Sequence, residues 1–600
     1  MSAILPAMAS PVLIRWLASC YYGLKLFPFR KERRERLADG RQKGFVGIQI
    51  DGLAFPFLQQ ALDRGYLPHL ERYLRRGHKL IEYRAGLPST TPAAQSTYFY
   101  GNDHSIPAFR WFEKETGQVI SCNDPDLVQQ FREKLFAGER GLLTGGASYS
   151  NILDGGAERS IFTVSSPHPQ TLFGRIGGSR IFLLMLVNPL RTCRMFFATF
   201  VEYWANRKDE WHHRRKKGWR TMEGLFPFIR IFCNVILREM QTFGVIAEVY
   251  AGTPRIYTTY SGYDEIAHHF GPDSWPALKN LQYIDRRIGE IIRAMDHVAG
   301  ADYLLVILSD HGQTPGYPFQ NRFGATLGDA ISAFLRENQT ATVLSGPLES
   351  TRAQFGYLRD ELEARQSSWR HRIYRRTKDY LQEKIHTLVP ETLKIDQEGG
   401  VVITYSSSLA HLYITGSTAP LSWKEIEQAQ PMLLRFLQKH KGIGFVLTRG
   451  EKAGEVMIFH QEGKICVTDN PRFPQAELAF LRPYGGPYEL LAELHRFGLG
   501  PRCGDLVLFG ALDKEGIACF DDQVGGHGSV GGEQSRPFLI LPLGHPVLDR
   551  ERLSGYEFIY RDIFRAQVGE DLPETAGSPD KHAQRESNRH LFDSNFILHD

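Results

Sequence analysis

Two apolar runs near the middle of the chain each end in a carboxylate with an imidazole close behind, and both groups are ligands for divalent cations. The first, Arg255-Ile-Tyr-Thr-Thr-Tyr260, leads to Asp264 and His268; the second, Tyr303-Leu-Leu-Val-Ile-Leu308, leads to Asp310 and His311. If a helical turn follows the first run, the spacing of Asp264 and His268 puts both side chains on one face, suited to gripping a single cation. An isolated pair of this kind is most often a solvated helix face, so the reading depends on other segments supplying the missing ligands. Phe45-Val-Gly-Ile-Gln-Ile50 delivers Asp51, with Gly52 allowing a tight turn beside a ligand. His527 stands among glycines in Gly525-Gly-His-Gly-Ser-Val-Gly531, where packing gives it little reason to exist. In Leu87-Pro-Ser-Thr90-Thr91-Pro92, two hydroxyls sit at the start of a helix, whose unpaired N–H groups favour an anion or an alkoxide. A threonine serving only as a helix cap is the alternative at that position.

These residues need a frame that brings strand ends together. Short β-branched and aromatic runs closed by polar turns read as buried parallel strands, whose C-terminal edges are where α/β sheets put ligands. Residues 274–296 have the spacing of an amphipathic helix between the 255–260 and 303–308 strands, a βαβ pattern, and residues 57–76 read as a helix broken at Pro68. Ser160–Val164 reads as a further strand, and strand-like runs return at 401–405, 411–414, 444–447, 456–459 and 505–509. Residues 172–250, apolar, aromatic and basic by turns, read as a helical cap, and 325–395 as a polar, mostly helical insertion. The polar tail from 571 to 600 reads as disordered. The expected class is α/β: a mostly parallel central sheet flanked by helices over residues 41–570, with a helical cap and α+β insertions.

Composition narrows the classes. A net charge of +4 over 600 residues gives no electrostatic footprint for nucleic acid. Seven scattered cysteines, with no Cys-x-x-Cys pair, argue against a disulfide framework and a thiolate zinc site, so any metal is held by oxygen and nitrogen. Residues 1–40 are apolar and aromatic, then basic at Arg30-Lys-Glu-Arg-Arg-Glu-Arg36, the reverse of a cleavable signal peptide. With the tryptophans and the basic run at 180–245, they suggest association with a membrane surface, the cytoplasmic face being favoured.

Taken in order, Ile50-Asp51-Gly52, Pro88-Ser-Thr90-Thr-Pro92, Asp264-x-x-x-His268-x-x-Gly271-Pro272, Ser309-Asp310-His311-Gly312 and Gly526-His527-Gly528 resemble the alkaline phosphatase superfamily, in particular its type I phosphodiesterase/nucleotide pyrophosphatase branch. The resemblance implies an alkaline-phosphatase-like fold and two divalent metal ions, usually zinc. Asp264, His268 and His527 would hold one; Asp51, Asp310, His311 and the nucleophile oxygen would hold the other. The branch's Thr-x-Pro pattern implies Thr90 as the nucleophile, with Thr91 as the competitor, and a phosphothreonine intermediate that is then hydrolysed.

The implied function is hydrolysis of a phosphate ester, a phosphodiester or pyrophosphate being favoured. Thr91-Pro92-Ala93-Ala94 stands where the nucleotide pyrophosphatases carry aromatic-Pro-Asn-His, and Tyr100-Gly101 where they carry Thr-Gly, which weakens the case for a nucleotide. A phosphotransferase or phosphomonoesterase acting on a lipid or cell-envelope phosphate is the alternative within the superfamily. An inactive scaffold is the non-enzyme alternative, disfavoured because the ligand set is intact.

Overall fold

The structure is a computed structural model that describes residues 29–36, 43–102, 106–166, 188–217, 226–298, 302–337, 343–345, 400–469 and 473–569. The expectations for residues 1–28, for most of the 325–395 insertion and for the 571–600 tail lie outside the described residues.

The central sheet has seven strands in the order His78–Glu82, Phe538–Pro542, Asp302–Leu308, Lys43–Ile50, Arg255–Tyr260, Ala147–Tyr149 and Arg159–Ile161. Lys43–Ile50 pairs in parallel with a neighbour on each side, while Phe538–Pro542 runs against both of its own neighbours. The apolar runs form strands because both faces are covered, and every residue of Phe45–Ile50 is buried. Ile50 stands opposite Tyr260, and Gln49 opposite Leu308, so three adjacent strands end at one level.

Helix Trp275–Asp296 starts at Ser274, whose hydroxyl accepts from the Ala277 N–H, and buries Leu281, Ile284, Ile288 and Ile291 in the core. Pro68 divides the expected 57–76 helix into Phe55–Asp63 and Pro68–Arg75. The expected strand at 160–164 is shorter, Arg159–Ile161, because Phe162 takes a positive φ of 57° and turns the chain. Within 172–250 the described part is a 29-residue helix, Pro189–Lys217, and a second helical run, Phe226–Ala251, with a π-helical turn at Phe232–Leu237. No helix among the described residues is long and apolar enough to cross a membrane.

A second seven-stranded sheet, mostly antiparallel, runs from Val343–Ser345 through Val401–Ser406, Leu409–Ile414, Leu506–Gly510, Ile443–Arg449 and Val456–His460 to Gly463–Val467. The strand at 343–345 departs from the mostly helical reading of 325–395: it pairs in parallel with Val401–Ile403. A four-stranded sheet joins the two parts. In it Gly525–Gly526 pairs with Thr314–Pro318, which carries the chain holding His527 to the edge where Asp310 and His311 lie.

Candidate active site

Six side chains meet where three strands end. Asp51 follows Lys43–Ile50, Asp264 and His268 lie on the helix Gly262–Phe270 just after Arg255–Tyr260, and Asp310 and His311 follow Asp302–Leu308. His527 joins them from the glycine loop. Ligand atoms of Asp264, His311 and His527 lie within 4.8 Å of one another, as do those of Asp51, Asp310 and His311. His268 Nε2 is 3.1 Å from Asp264 Oδ2 and 3.1 Å from His527 Nε2. All six expected metal-ligand positions are therefore brought together.

The two candidate threonines have opposite surroundings. Thr91, the first residue of the helix Thr91–Tyr100, donates its hydroxyl to Asp51 Oδ1 at 3.0 Å and lies 3.3 Å from His311 Nε2. Thr90 is fully buried, its hydroxyl meets no partner, and it does not border the cavity at the cluster. The helix begins one residue later than Thr-x-Pro counting assumes, with Pro92 at its second position, so the N-terminal hydroxyl directed at the cluster belongs to Thr91.

The donor set fits paired cations. The Nδ1 atoms of His268, His311 and His527 pair with the carbonyls of Gly525, Gly312 and Ser89 at 2.8, 2.9 and 2.9 Å. A carbonyl can only accept, so each Nδ1 carries a proton and each Nε2 faces inward, a lone-pair donor to a cation once any proton of its own is displaced. Both carboxylate oxygens of Asp310 are buried without a hydrogen-bond partner. Burial, with Asp310 and Asp264 nearby, pushes the Asp51 carboxyl well above its usual range. Burial works to lower the His268 imidazole, but the Asp264 carboxylate outweighs it and pushes it up to about 9. Burial works the other way on Asp264, yet His268 holds its carboxyl below the usual range. His527 is pushed well below the ordinary imidazole value by burial and by His311. Three carboxylates and three imidazoles in a buried volume favour positive charge among them, and oxygen and nitrogen donors in this proportion suit zinc or a similar first-row ion.

A model of the type I phosphodiesterase / nucleotide pyrophosphatase family matches residues 45–410, more than half of the chain. The chain belongs to this family. Type I phosphodiesterases and nucleotide pyrophosphatases form a branch of the alkaline phosphatase superfamily, act on phosphoric esters and are metalloenzymes with a two-metal site. Solved structures similar to this family member include phosphonoacetate hydrolase from Sinorhizobium meliloti 1021 in complex with phosphonoformate, at 15% identity and a TM-score of 0.40, with 88% of this chain and 95% of that one covered. Murine ectonucleotide pyrophosphatase / phosphodiesterase 5 in complex with AMP is 11% identical, TM-score 0.41, with 90% and 98% covered. Alkaline phosphatase PafA is 10% identical, TM-score 0.40, with 90% and 99% covered. No curated protein matches.

Residues outside the sequence reading complete the site. Gln313 donates its amide to Asp264, and Gln49 donates to Asp51 at 3.4 Å. In front of Thr91 lies a cavity of about 160 Å³, with Asn123, Asn151 and Gln95 as polar groups and Phe109, Phe162 and Phe232 among its apolar walls. The basic residues Lys114 and Arg536 are paired with Asp505 and Glu82. Asn123 and Phe232 come from a turn and the helical cap, where no strand-end pattern marks them; Gln313 sits two residues past His311 and could have been found from that spacing.

Proposed function

We propose that this family member hydrolyses a phosphodiester by way of a phosphothreonine at Thr91. The observation that carries the reading is the convergence of three inward-facing imidazole nitrogens and three carboxylates beside a single hydroxyl. Asp264, His268 and His527 would hold one divalent cation, and Asp51, Asp310 and His311 the other, zinc being the ion that best suits the donors. Bound there, the pair supplies the positive charge that lowers the hydroxyl's pKa and stabilises charge on the entering and leaving oxygens.

Thr91 contributes the attacking oxygen. Asp51 and His311 orient its hydroxyl, and its position in the first turn of the helix Thr91–Tyr100 puts the positive end of the helix dipole next to the developing negative charge. Oγ1 forms the bond to phosphorus, the bond to one alcohol oxygen breaks, and the hydroxyl proton leaves with that alcohol. Water then cleaves the phosphothreonine, which returns the hydroxyl and releases a phosphomonoester. Asn123 lines the cavity with an amide that can donate to a non-bridging oxygen, whereas the amides of Asn151 and Gln95 are engaged with Ser148 and Thr259 and brace the wall behind it.

A diester is favoured over a monoester by the lining. Among the described residues around the cavity there is no lysine or arginine to meet the second charge of a monoester dianion, while the phenylalanines suit an apolar ester group. The test is hydrolysis of an aryl phosphodiester and an aryl phosphomonoester by wild type and Thr91→Ala, with and without chelator, and intact-protein mass after acid quench. A faster diester reaction, lost in the variant and with chelator, and a phosphoryl adduct on Thr91 are expected. Activity untouched by chelation would overturn the reading.

A further inference from the structure

The 29-residue helix Pro189–Lys217 presents two adjoining faces with different chemistry. One closes a cleft of about 610 Å³ against the helices Arg238–Ala251 and Trp275–Asp296, away from the catalytic cluster. Six arginines line it, Arg191, Arg194, Arg238, Arg286, Arg287 and Arg293, against two glutamates, Glu239 and Glu290. Arg191 reaches Glu239 at 2.7 Å and Glu290 at 2.5 Å, and Arg287 reaches the same two at 3.3 and 2.7 Å, so these four charges satisfy one another. The remaining arginines leave the cleft strongly positive.

Arg238 is the telling member. It is 92% buried by side-chain and main-chain surface together, its guanidinium lies 4.9 Å from the Tyr283 ring, and its Nε and Nη1 meet no acceptor. An unpaired guanidinium removed from water costs several kcal/mol, in order of magnitude, unless an anion completes it. The planar fork of N–H groups matches two oxygens of a phosphate.

The other face of the same helix is bare. Phe197, Phe200, Val201 and Trp204 follow the i, i+3, i+4, i+7 spacing of a single stripe, and each is at least 64% exposed. Trp211 and the exposed basic residues Lys208 and Arg215 continue it toward the C-terminal end, with Arg215 stacked 4.0 Å from the Trp211 ring. An aromatic stripe flanked by cations, beside a positive cleft with an unsatisfied arginine, complements an anionic bilayer surface.

We propose that Pro189–Lys217 is a membrane-docking helix: the cleft takes the phosphate headgroup of an anionic lipid at Arg238 while the aromatic stripe lies among the acyl chains at the bilayer surface. The proposal is independent of the catalytic chemistry, because binding is measured without turnover.

The test is flotation of the full-length protein with vesicles of phosphatidylcholine alone, or with about one-third phosphatidylglycerol added. Wild type is expected to partition onto the anionic vesicles at least about tenfold better. Arg238→Gln and Arg194→Gln should each reduce that preference about fivefold, and Phe197→Ser with Trp204→Ser should reduce binding to both vesicle types. Arg194 stands at the exposed rim, so its variant keeps the test open if Arg238→Gln fails to fold, which a thermal melt reports. Flotation of all variants like wild type overturns the proposal and assigns any binding to another segment. If inorganic phosphate raises the melting temperature through Arg238 but vesicles are ignored, the cleft holds a soluble phosphate and the lipid assignment falls. A stripe variant that changes the oligomeric state and leaves flotation unaltered means a second copy covers the stripe, which overturns it as well.

Discussion

The Nε2 atoms of His268 and His527 face each other at 3.1 Å, with the Nδ1 of each ring already bonded to a main-chain carbonyl. With both Nδ1 atoms engaged, either a proton or a cation lies between the two Nε2 atoms, and the carboxylates around them favour a cation. Removing that charge should cost both structure and turnover. A strong chelator is expected to lower the melting temperature and abolish phosphoesterase activity, and added Zn²⁺ should restore both. His527→Ala should bind less metal per chain by elemental analysis while retaining its circular dichroism. A protein that melts and turns over identically with and without chelator would falsify the paired-cation site.

Thr90 and Thr91 are neighbours with opposite surroundings, which makes them a sharp pair for substitution. Thr91→Ala removes the hydroxyl bonded to Asp51 and should reduce the rate at least about a thousandfold. Thr90→Val keeps the shape and deletes a buried hydroxyl that has no partner, so stability should change by less than about 1 kcal/mol or rise. Its activity should stay within about threefold of wild type. Steady-state rates and thermal melts of the two variants decide this, and the reverse pattern would return the nucleophile to Thr90.

Gly52 carries a positive φ of 67°, and a Cβ built there would overlap Oδ1 of Asp264. The position therefore couples two ligand-bearing strand ends: Asp51 precedes the glycine, and Asp264 packs over it. Gly52→Ala should displace Asp264 from His268 and weaken metal binding about ten- to a hundredfold without unfolding the sheet. Competition with a chromogenic chelator measures the affinity. An unchanged affinity would mean that Asp264 has room to move, or does not hold the ion.

Much of this site was legible because chain direction and chemistry coincide in it. Asp51, Asp264 and Asp310 each follow an apolar run, and burial of those runs as parallel neighbours leaves their C-terminal ends on one edge. His527 was legible from its glycines, although what carries it there, pairing of Gly525–Gly526 with Thr314–Pro318, is a contact between segments some 200 residues apart that no local pattern encodes. Which of Thr90 and Thr91 faces the cluster was not legible, because one residue of helical phase separates a cap from a first turn, and that phase is set by packing of the fully buried helix Thr91–Tyr100. Strands of the second sheet were visible as apolar runs, but their order, with Leu506–Gly510 inserted between Leu409–Ile414 and Ile443–Arg449, depends on long-range pairing. The arginine cleft was invisible for the same reason: its charges come from three helices, each of which alone has an ordinary basic face.

His411 gives the fold a pH dependence separate from the catalytic cluster. It lies fully buried on the strand Leu409–Ile414, and the Gly504 N–H donates to its Nδ1 at 3.0 Å, so that nitrogen must be unprotonated in the folded chain. Burial pushes the imidazole down from 6.5 to about 3, against a smaller opposing pull from the Pro107 carbonyl. The folded value is the lower one, so above about pH 6.5 both states are neutral and the full stability is present. Below that the unfolded chain takes a proton that the folded chain refuses. Stability then falls by about 1.4 kcal/mol per pH unit until the folded value near 3 is reached, which is about 2 kcal/mol lost by pH 5. His411→Asn keeps an acceptor for Gly504 and removes the titration. The drop in melting temperature between pH 7 and pH 5 should be a few degrees smaller in the variant, as read by differential scanning calorimetry. Equal drops in the two proteins would mean that His411 is already protonated in the folded state, contrary to the hydrogen bond that it accepts.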